Sequence, residues 1–303
     1  MIKIEAVNPR RSQSFMSKAK CLRHIPVQLT LDQFNQFILK HLPKPKRGPS
    51  CKISLFKVFN YILNILYTGC QWISLPIATN SKTGKPEIHY TRIFRIFQCW
   101  LKKGVFEKIF EDSVVSLHLK GLLDLSILHG DGTSTIAKKG GDCLGFSGHK
   151  HFKGEKTVAF VDRNCNVIAP FTKAPGNKHE CPLFPNAFGH LKRIIKTLGE
   201  KLTGLVTSLD SAYDSATNRK MIFNAGMVPN IKENPRNRKK TKRGRKRVYE
   251  EDIFQERFET VERAFAWEDK FKRLLIRFER ISLHHFGLKL IAYTMINLRH
   301  FCN

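Results

Sequence analysis

Three carboxylates stand out in a 303-residue chain whose formal net charge is +28: Asp131, Asp210 and Glu262. Asp131 closes the apolar run SILHG (126–130), and Asp210 closes GLVTSL (204–209). Glu262 lies in the helix-patterned block VERAFAWEDKFKRLLIRFER (261–280). Aspartate has low strand propensity and is costly to bury unless it is paired or bound to a cation. Two acids at strand ends therefore suggest carboxylate ligands for Mg²⁺ at one edge of a sheet. Phosphoryl transfer with two metals asks for about three acidic groups around ions roughly 4 Å apart, and the helical glutamate supplies the third. Taken alone, either aspartate also reads as a turn-starter, Asp131 above all because Gly132 follows it. The three are far apart in sequence, so the fold has to assemble them.

The surrounding charge points to a polyanion. Lys and Arg number 53 against 25 Asp and Glu, and such an excess sets up a long-range positive potential that attracts nucleic acid phosphates or anionic membranes. Membrane attachment is disfavoured: there is no apolar run of about 18 residues, no signal-peptide core behind the N-terminal charges and no lipidation signal. The eight cysteines are scattered, with no C-x-x-C pair. That pattern fits reduced thiols in a cytosolic protein better than a zinc ribbon or a disulfide framework. The stretch Ser81-Lys82-Thr83-Gly84-Lys85 lacks the spacing of a phosphate loop, which argues against ATP binding.

The elements that must position the acids fall into two parts. Residues 1–28 read as a basic arm. Residues 29–122 then read as an all-α unit. Thr30 and Gln33 form a capping box for a helix reaching about residue 41; Ser54 caps a second helix that Gly69 stops. A third helix is expected over 87–103, with Arg92, Arg95 and Lys102 mostly off its apolar face, and a fourth over 105–119. A basic helix in such a unit could enter a major groove as helix-turn-helix modules do; an ordinary solvated charged face is the equal alternative. From 123 to 303 the pattern becomes α/β. Strands are expected at 125–135, 156–161, 167–172, 205–210 and 227–231, with the second and third paired as a hairpin. Helices are expected at 181–199, 213–224 and 288–301, with a long amphipathic helix over 256–280. On that helix Lys270 and Arg273 fall on one broad face with Glu262, where they could meet DNA phosphates; a salt-bridged surface helix is the plainer reading.

Six strings in order carry a family resemblance over about residues 29–301. NYILNILYTGCQWISLP (60–76) and RIFQCWLKKGVFEKIF (95–110) are similar to a helical DNA-binding region. HGDGT (129–133), APGNKHE (174–180), LDSAYDS (209–215) and VERAFAWEDKFKRL (261–274) are similar to the catalytic motifs of that family. The chain resembles the DDE-type transposases of bacterial insertion sequences, the IS-five-like group. The resemblance implies an RNase H-like core preceded by a small helix-turn-helix-like domain, with Asp131 on the first strand, Asp210 on the fourth and Glu262 on a late helix. It implies two Mg²⁺ ions (Mn²⁺ as a substitute) held by those three acids, and cleavage and strand transfer at the element's ends. The partners implied are double-stranded DNA, as terminal inverted repeats and target, and a second copy of the chain on that DNA. The setting implied is bacterial, cytoplasmic and nucleoid-associated. The family sets an arginine four residues before the glutamate, where this chain has Phe258, and a lysine seven after, where it has Asp269. Arg257 and Lys270 are the nearest substitutes. His129, His179 and Tyr213 are expected near the site, with a core or packing role as the equal alternative for each. The dense run Arg236, Arg238, Lys239, Lys240, Lys242, Arg243, Arg245, Lys246 and Arg247, within a basic loop over 233–248, is expected to contact DNA. The rivals are a decayed DNA-binding protein that only occupies transposon ends, and a nuclease of the same fold that cuts without joining.

Overall fold

Helix starts follow the local capping chemistry. Thr30 and Gln33 close a reciprocal capping box at α1 (Leu31–Phe37), which continues as a 3₁₀ turn through His41. Ser54 caps α2 (Leu55–Thr68), and Gly69, in the left-handed region at φ 74°, ends it. α3 (Tyr90–Lys102) starts later than the pattern predicts, with His89 as its cap. Glu87 is held elsewhere, accepting from Lys57 Nζ at 2.6 Å and Tyr61 Oη at 2.8 Å, so it ties the preceding loop to α2. α4 (Val105–Leu119) matches its expected bounds. The computed structural model describes residues 24–43, 51–235 and 247–302, and all structural statements concern those. The N-terminal arm before residue 24 and the basic residues 236–246 lie outside them.

The sheet contains β1 (Ile127–Ala137), β2 (Gly145–Ser147), β3 (Phe152–Asp162), β4 (Val167–Pro175), β5 (Val206–Leu209), β6 (Val228–Ile231) and β7 (Ile276–Arg277). Its order is β2-β3-β1-β5-β6, with β4 on β3 and β7 on β1. β1, β3 and β4 form an antiparallel meander, whereas β5 and β6 run parallel to β1. α5 (Phe184–Thr197) leads from β4 into β5, and α6 (Ala216–Asn224) links β5 to β6. Asp162 shapes the β3–β4 turn: its carboxylate accepts from the backbone N–H groups of Asp124 and Asn166 and from the Asn166 side chain. β1 has an uneven lateral partnership. One edge pairs with β3 from Leu128 to Ile136. The other pairs with β5 over 127–130 and with β7 at 136 and 137, leaving 131–135 without a strand on that side.

The expected long helix does not persist to residue 280. α7 (Glu251–Glu268) stops at Glu268; a short turn buries Phe271, α8 (Lys272–Leu275) follows, and the chain enters β7. Burying the Arg277 side chain and pairing its backbone with Ala137 outweighs continuing the helical stripe. α9 (Ser282–Leu298) is buried along most of its length and packs on α4, α7 and β4. Its Lys289 and Tyr293 both donate to the buried Glu268 carboxylate at the end of α7. Apolar residues from the helices before 122 and from the sheet region belong to one continuous core. Among the described residues no helix is long and apolar enough to cross a membrane.

Candidate functional site

The sequence His129-Gly130-Asp131-Gly132 sits where β1 parts from β5. Two glycines make the approach possible. A Cβ on Gly130 would stand 2.6 Å from Leu209 Cδ2 and 2.7 Å from Phe160 Cε1, so only glycine lets β1 close onto its neighbours here. A Cβ on Gly132 would stand 2.7 Å from the carboxyl carbon of Glu180. Asp131 is not at a strand end, as the apolar run implied; β1 continues to Ala137 because β3 still pairs with it. What ends at this point is the β1–β5 ladder, whose last pair is Gly130 with Leu209. Asp131 and Asp210 are the next residues on the two parallel strands, and so are neighbours.

Each carboxylate is held differently. Asp131 accepts from the Gly132 N–H at 2.7 Å and from Arg257 Nη1 at 2.6 Å. Burial pushes its carboxyl above the ordinary value, Arg257 and the Gly132 N–H pull against that, and nearby Glu180 adds to the rise. Asp210 caps the 3₁₀ turn Ser211–Tyr213, accepting from the Ser211 N–H at 2.6 Å. Glu180 precedes the turn into α5 and lies 3.2 Å from Lys156 Nζ. A cleft of about 590 Å³ is lined by Asp210, Glu180, Lys156, Ser134, Ser147, His149 and Lys150, among others.

Tyr213 lies beneath these acids. It is fully buried, its ring edge-on to Phe184, and among the described residues its hydroxyl makes no hydrogen bond of good geometry, although Glu180 lies close enough to act on it. Burial, followed by the charges of Glu180 and Asp131, raises the phenol well above its usual value, so it stays protonated and keeps an O–H to donate. His129 is also fully buried, with Nε2 3.5 Å from Glu256, which Arg163 grips through Nε and Nη2. His179 is exposed.

Glu262 is exposed on α7, with no bond to either aspartate. Among the described residues no three His, Cys, Asp or Glu side chains already form a group able to hold a metal ion. The groups near Asp131 nevertheless suit a hard divalent cation in type, since Asp210 and Glu180 line one cleft and the charges of both, with that of Asp131, act on the buried Tyr213 hydroxyl.

Several basic residues assigned to DNA are occupied in the fold. Arg257 is buried, bonded to Asp131 and stacked 4.6 Å from the Phe258 ring. It therefore touches the site through a carboxylate and presents no free face to a phosphate. Arg273 is also buried: it pairs with Glu279 at 2.7 Å and donates to the carbonyls of Gly69 and Cys70. The end of α7 removes both it and Lys270 from the Glu262 face, although Lys270 is exposed. Arg247 pairs with Asp214 at 3.0 Å, alongside Arg219. Arg92, Arg95 and Lys102 are exposed on α3. Arg236, Arg238, Lys239, Lys240, Lys242, Arg243, Arg245 and Lys246 lie outside the described residues. Sequence reasoning missed Glu180; its place at the end of APGNKHE, just before the turn into α5, was the available signal.

The Arg273 pair has a pH consequence. Burial would raise Glu279, but His285, 3.7 Å away, and the charge of Arg273 hold it down at about 2. The folded-state value lies below the ordinary 4.5, so this stabilisation is present above about pH 4.5 and is lost as pH falls towards 2. The stability lost by Glu279→Gln, measured by urea unfolding, should therefore shrink by roughly 2 kcal/mol between about pH 7 and pH 3. An unchanged difference would mean that Glu279 titrates normally.

No family model and no curated protein matches the chain. Among solved structures it is similar to a Mos1 transposase paired-end complex with the left transposon end. The identity is 10% and the TM-score 0.26, over 62% of this chain and 61% of that one. The chain thus spans about three fifths of that relative's length. A pre-cleavage Mos1 transpososome gives 10% identity and a TM-score of 0.28, over 84% and 80%. A likeness of that size assigns no residue.

Proposed function

We propose that the chain is a DNA transposase of the DDE type that binds the ends of an insertion sequence and cuts and rejoins DNA with Mg²⁺. The observation that carries this reading is the juxtaposition of Asp131 and Asp210 where the β1–β5 ladder stops. Their setting supports it. An antiparallel meander followed by two parallel strands, in the order β4-β3-β1-β5-β6, is the arrangement of an RNase H-like core. The resemblance of the six motifs and a net charge of +28 point to the same substrate.

Asp131 and Asp210 would hold the cation, which supplies charge stabilisation on the scissile phosphate and a more acidic attacking hydroxyl. Two ions are expected, with Mn²⁺ as a substitute. Gly130 and Gly132 let the two strands and Glu180 approach the reacting region closely. The backbone N–H groups of Gly132 and Ser211 fix the two aspartates, and Arg257 sets the direction of Asp131. The exposed Arg92, Arg95 and Lys102 on α3 are positioned for duplex phosphates, as in a helix-turn-helix-like domain, and the run 236–246 adds further contacts. Glu262 is the third acid by resemblance; without DNA it is exposed on α7 and bonded to neither aspartate. Pairing of two ends calls for a dimer on DNA.

A second reading, DNA binding without catalysis, draws on one observation: Asp131 is already paired with Arg257, and Glu262 stands apart from it. Incubating the protein with end-containing DNA and Mg²⁺ separates the two. Nicked ends followed by strand-transfer product support the transposase, and Glu262→Ala should abolish both. Binding with no metal-dependent cleavage leaves only the second reading; cleavage with no joined product identifies a nuclease.

A further inference from the structure

Glu180 belongs to none of the roles above, yet it stands in the middle of the site. Its carboxyl carbon occupies the space that only a glycine at 132 leaves free, directly beside Asp131. It lines the same cleft as Asp210. Around it the carboxylates are unevenly paired. Asp131 has Arg257 and Glu180 has Lys156, whereas among the described residues Asp210 has a single N–H donor and no ion pair. Of the three carboxylates only Asp210 thus has no ion pair among the described residues, although Lys150 also lines the cleft.

Tyr213 supplies an independent observation. Burying a hydroxyl without a partner costs on the order of 1–3 kcal/mol, and this one is buried against the same three acids. Such a group is satisfied when a carboxylate beside it is drawn into a fixed orientation. A divalent ion taking one oxygen of Glu180 would replace Lys156 as its partner and leave the other oxygen to accept from Tyr213.

We propose that Glu180 completes the divalent-cation site begun by Asp131 and Asp210, with the Tyr213 hydroxyl as the positioning donor for its carboxylate. The assignment rests on the reading of Asp131 and Asp210 as ligands and adds a residue from the turn before α5. In the DNA-free protein Glu180, and not Glu262, is then the third acid.

Mn²⁺ titration followed by electron paramagnetic resonance, on the full chain without DNA, tests this. Wild type should bind Mn²⁺, and Asp210→Asn should lose it. Glu180→Gln should weaken binding by about tenfold or more and Tyr213→Phe by a smaller factor, while Glu259→Gln, at an exposed acid on α7, stays within about twofold of wild type. Circular dichroism checks that each variant is folded. Should Glu180→Gln fail to fold, Glu180→Asp, which keeps the charge and shortens the reach, should give an intermediate affinity. Wild-type affinity in a folded Glu180 variant, or no Mn²⁺ binding by wild type, overturns the proposal. Cleavage of end DNA reports separately on function. Glu180-dependent Mn²⁺ binding without any cleavage would sink the transposase reading and keep this site. Cleavage with Glu180-independent binding would do the reverse.

Discussion

Asp210→Asn is expected to lower single-turnover strand cleavage by about a thousandfold, equivalent to roughly 4 kcal/mol of barrier, while leaving the melting temperature almost unchanged. The separation of the two effects follows from how the residue is held. An asparagine at 210 keeps the oxygen that accepts from the Ser211 N–H, so the 3₁₀ turn and the buried Tyr213 behind it stay in place. What disappears is the negative charge at the cleft. Asp131→Asn should cost as much in cleavage and more in stability. Its partner Arg257 is buried, and a neutral amide offers that guanidinium a weaker acceptor. Rates measured on pre-nicked and intact end DNA, alongside thermal melts, check both parts. A residual rate within tenfold of wild type for either variant would remove the aspartate pair from the chemistry.

Arg277→Met should destabilise the fold by about 3–5 kcal/mol, with no direct effect on DNA contacts. Arg277 is fully buried and donates through every part of its head group: to Glu155 Oε2 at 2.6 Å, to the carbonyl and carboxylate of Asp142 at 2.8 Å, and to the carbonyl of Glu279 at 2.9 Å. Removing it strands Glu155, which is 1% exposed and, among the described residues, retains only Ser282 Oγ as a donor. It also releases the loop between β1 and β2 from the β7 strand. Because most of the penalty is the uncompensated charge, the double variant Arg277→Met/Glu155→Met should recover a large share of the loss. Urea unfolding of the two single variants and the double decides this. If the double is as unstable as the sum of the singles, the pair is not coupled.

Local chemistry was readable and long-range compensation was not. Thr30, Ser54 and Gly69 announce helix ends because a cap needs only three or four neighbouring residues. The hairpin around 163–166 and the parallel strand before Asp210 were likewise visible as β-rich runs bounded by turn residues. The end of α7 was hidden because the apolar spacing continues through Phe271, Leu274 and Phe278 in sequence. Tertiary partners break it: Phe271 enters the core and Arg277 is captured by Glu155 and Asp142. Charge signs alone could not separate arginines that face solvent, such as Arg92 and Arg95, from Arg257 and Arg273, whose partners lie far away in the chain. The neighbourhood of Asp131 and Asp210 was legible as two acids after apolar runs. Glu180 was not, because its role depends on the space above Gly132, on β1 and far earlier in the chain.

The uneven edges of β1 have a mechanical meaning. Along one side the strand is zipped to β3 over most of its length; along the other, β5 and β7 grip only its beginning and its end. The peptide groups of 131–135 that point to the ungripped side carry no cross-strand tie, so shear between the meander and the parallel half meets least resistance at that seam. Asp131 sits at the top of it. Any separation of the two halves would start at that seam, where the fewest backbone bonds have to break.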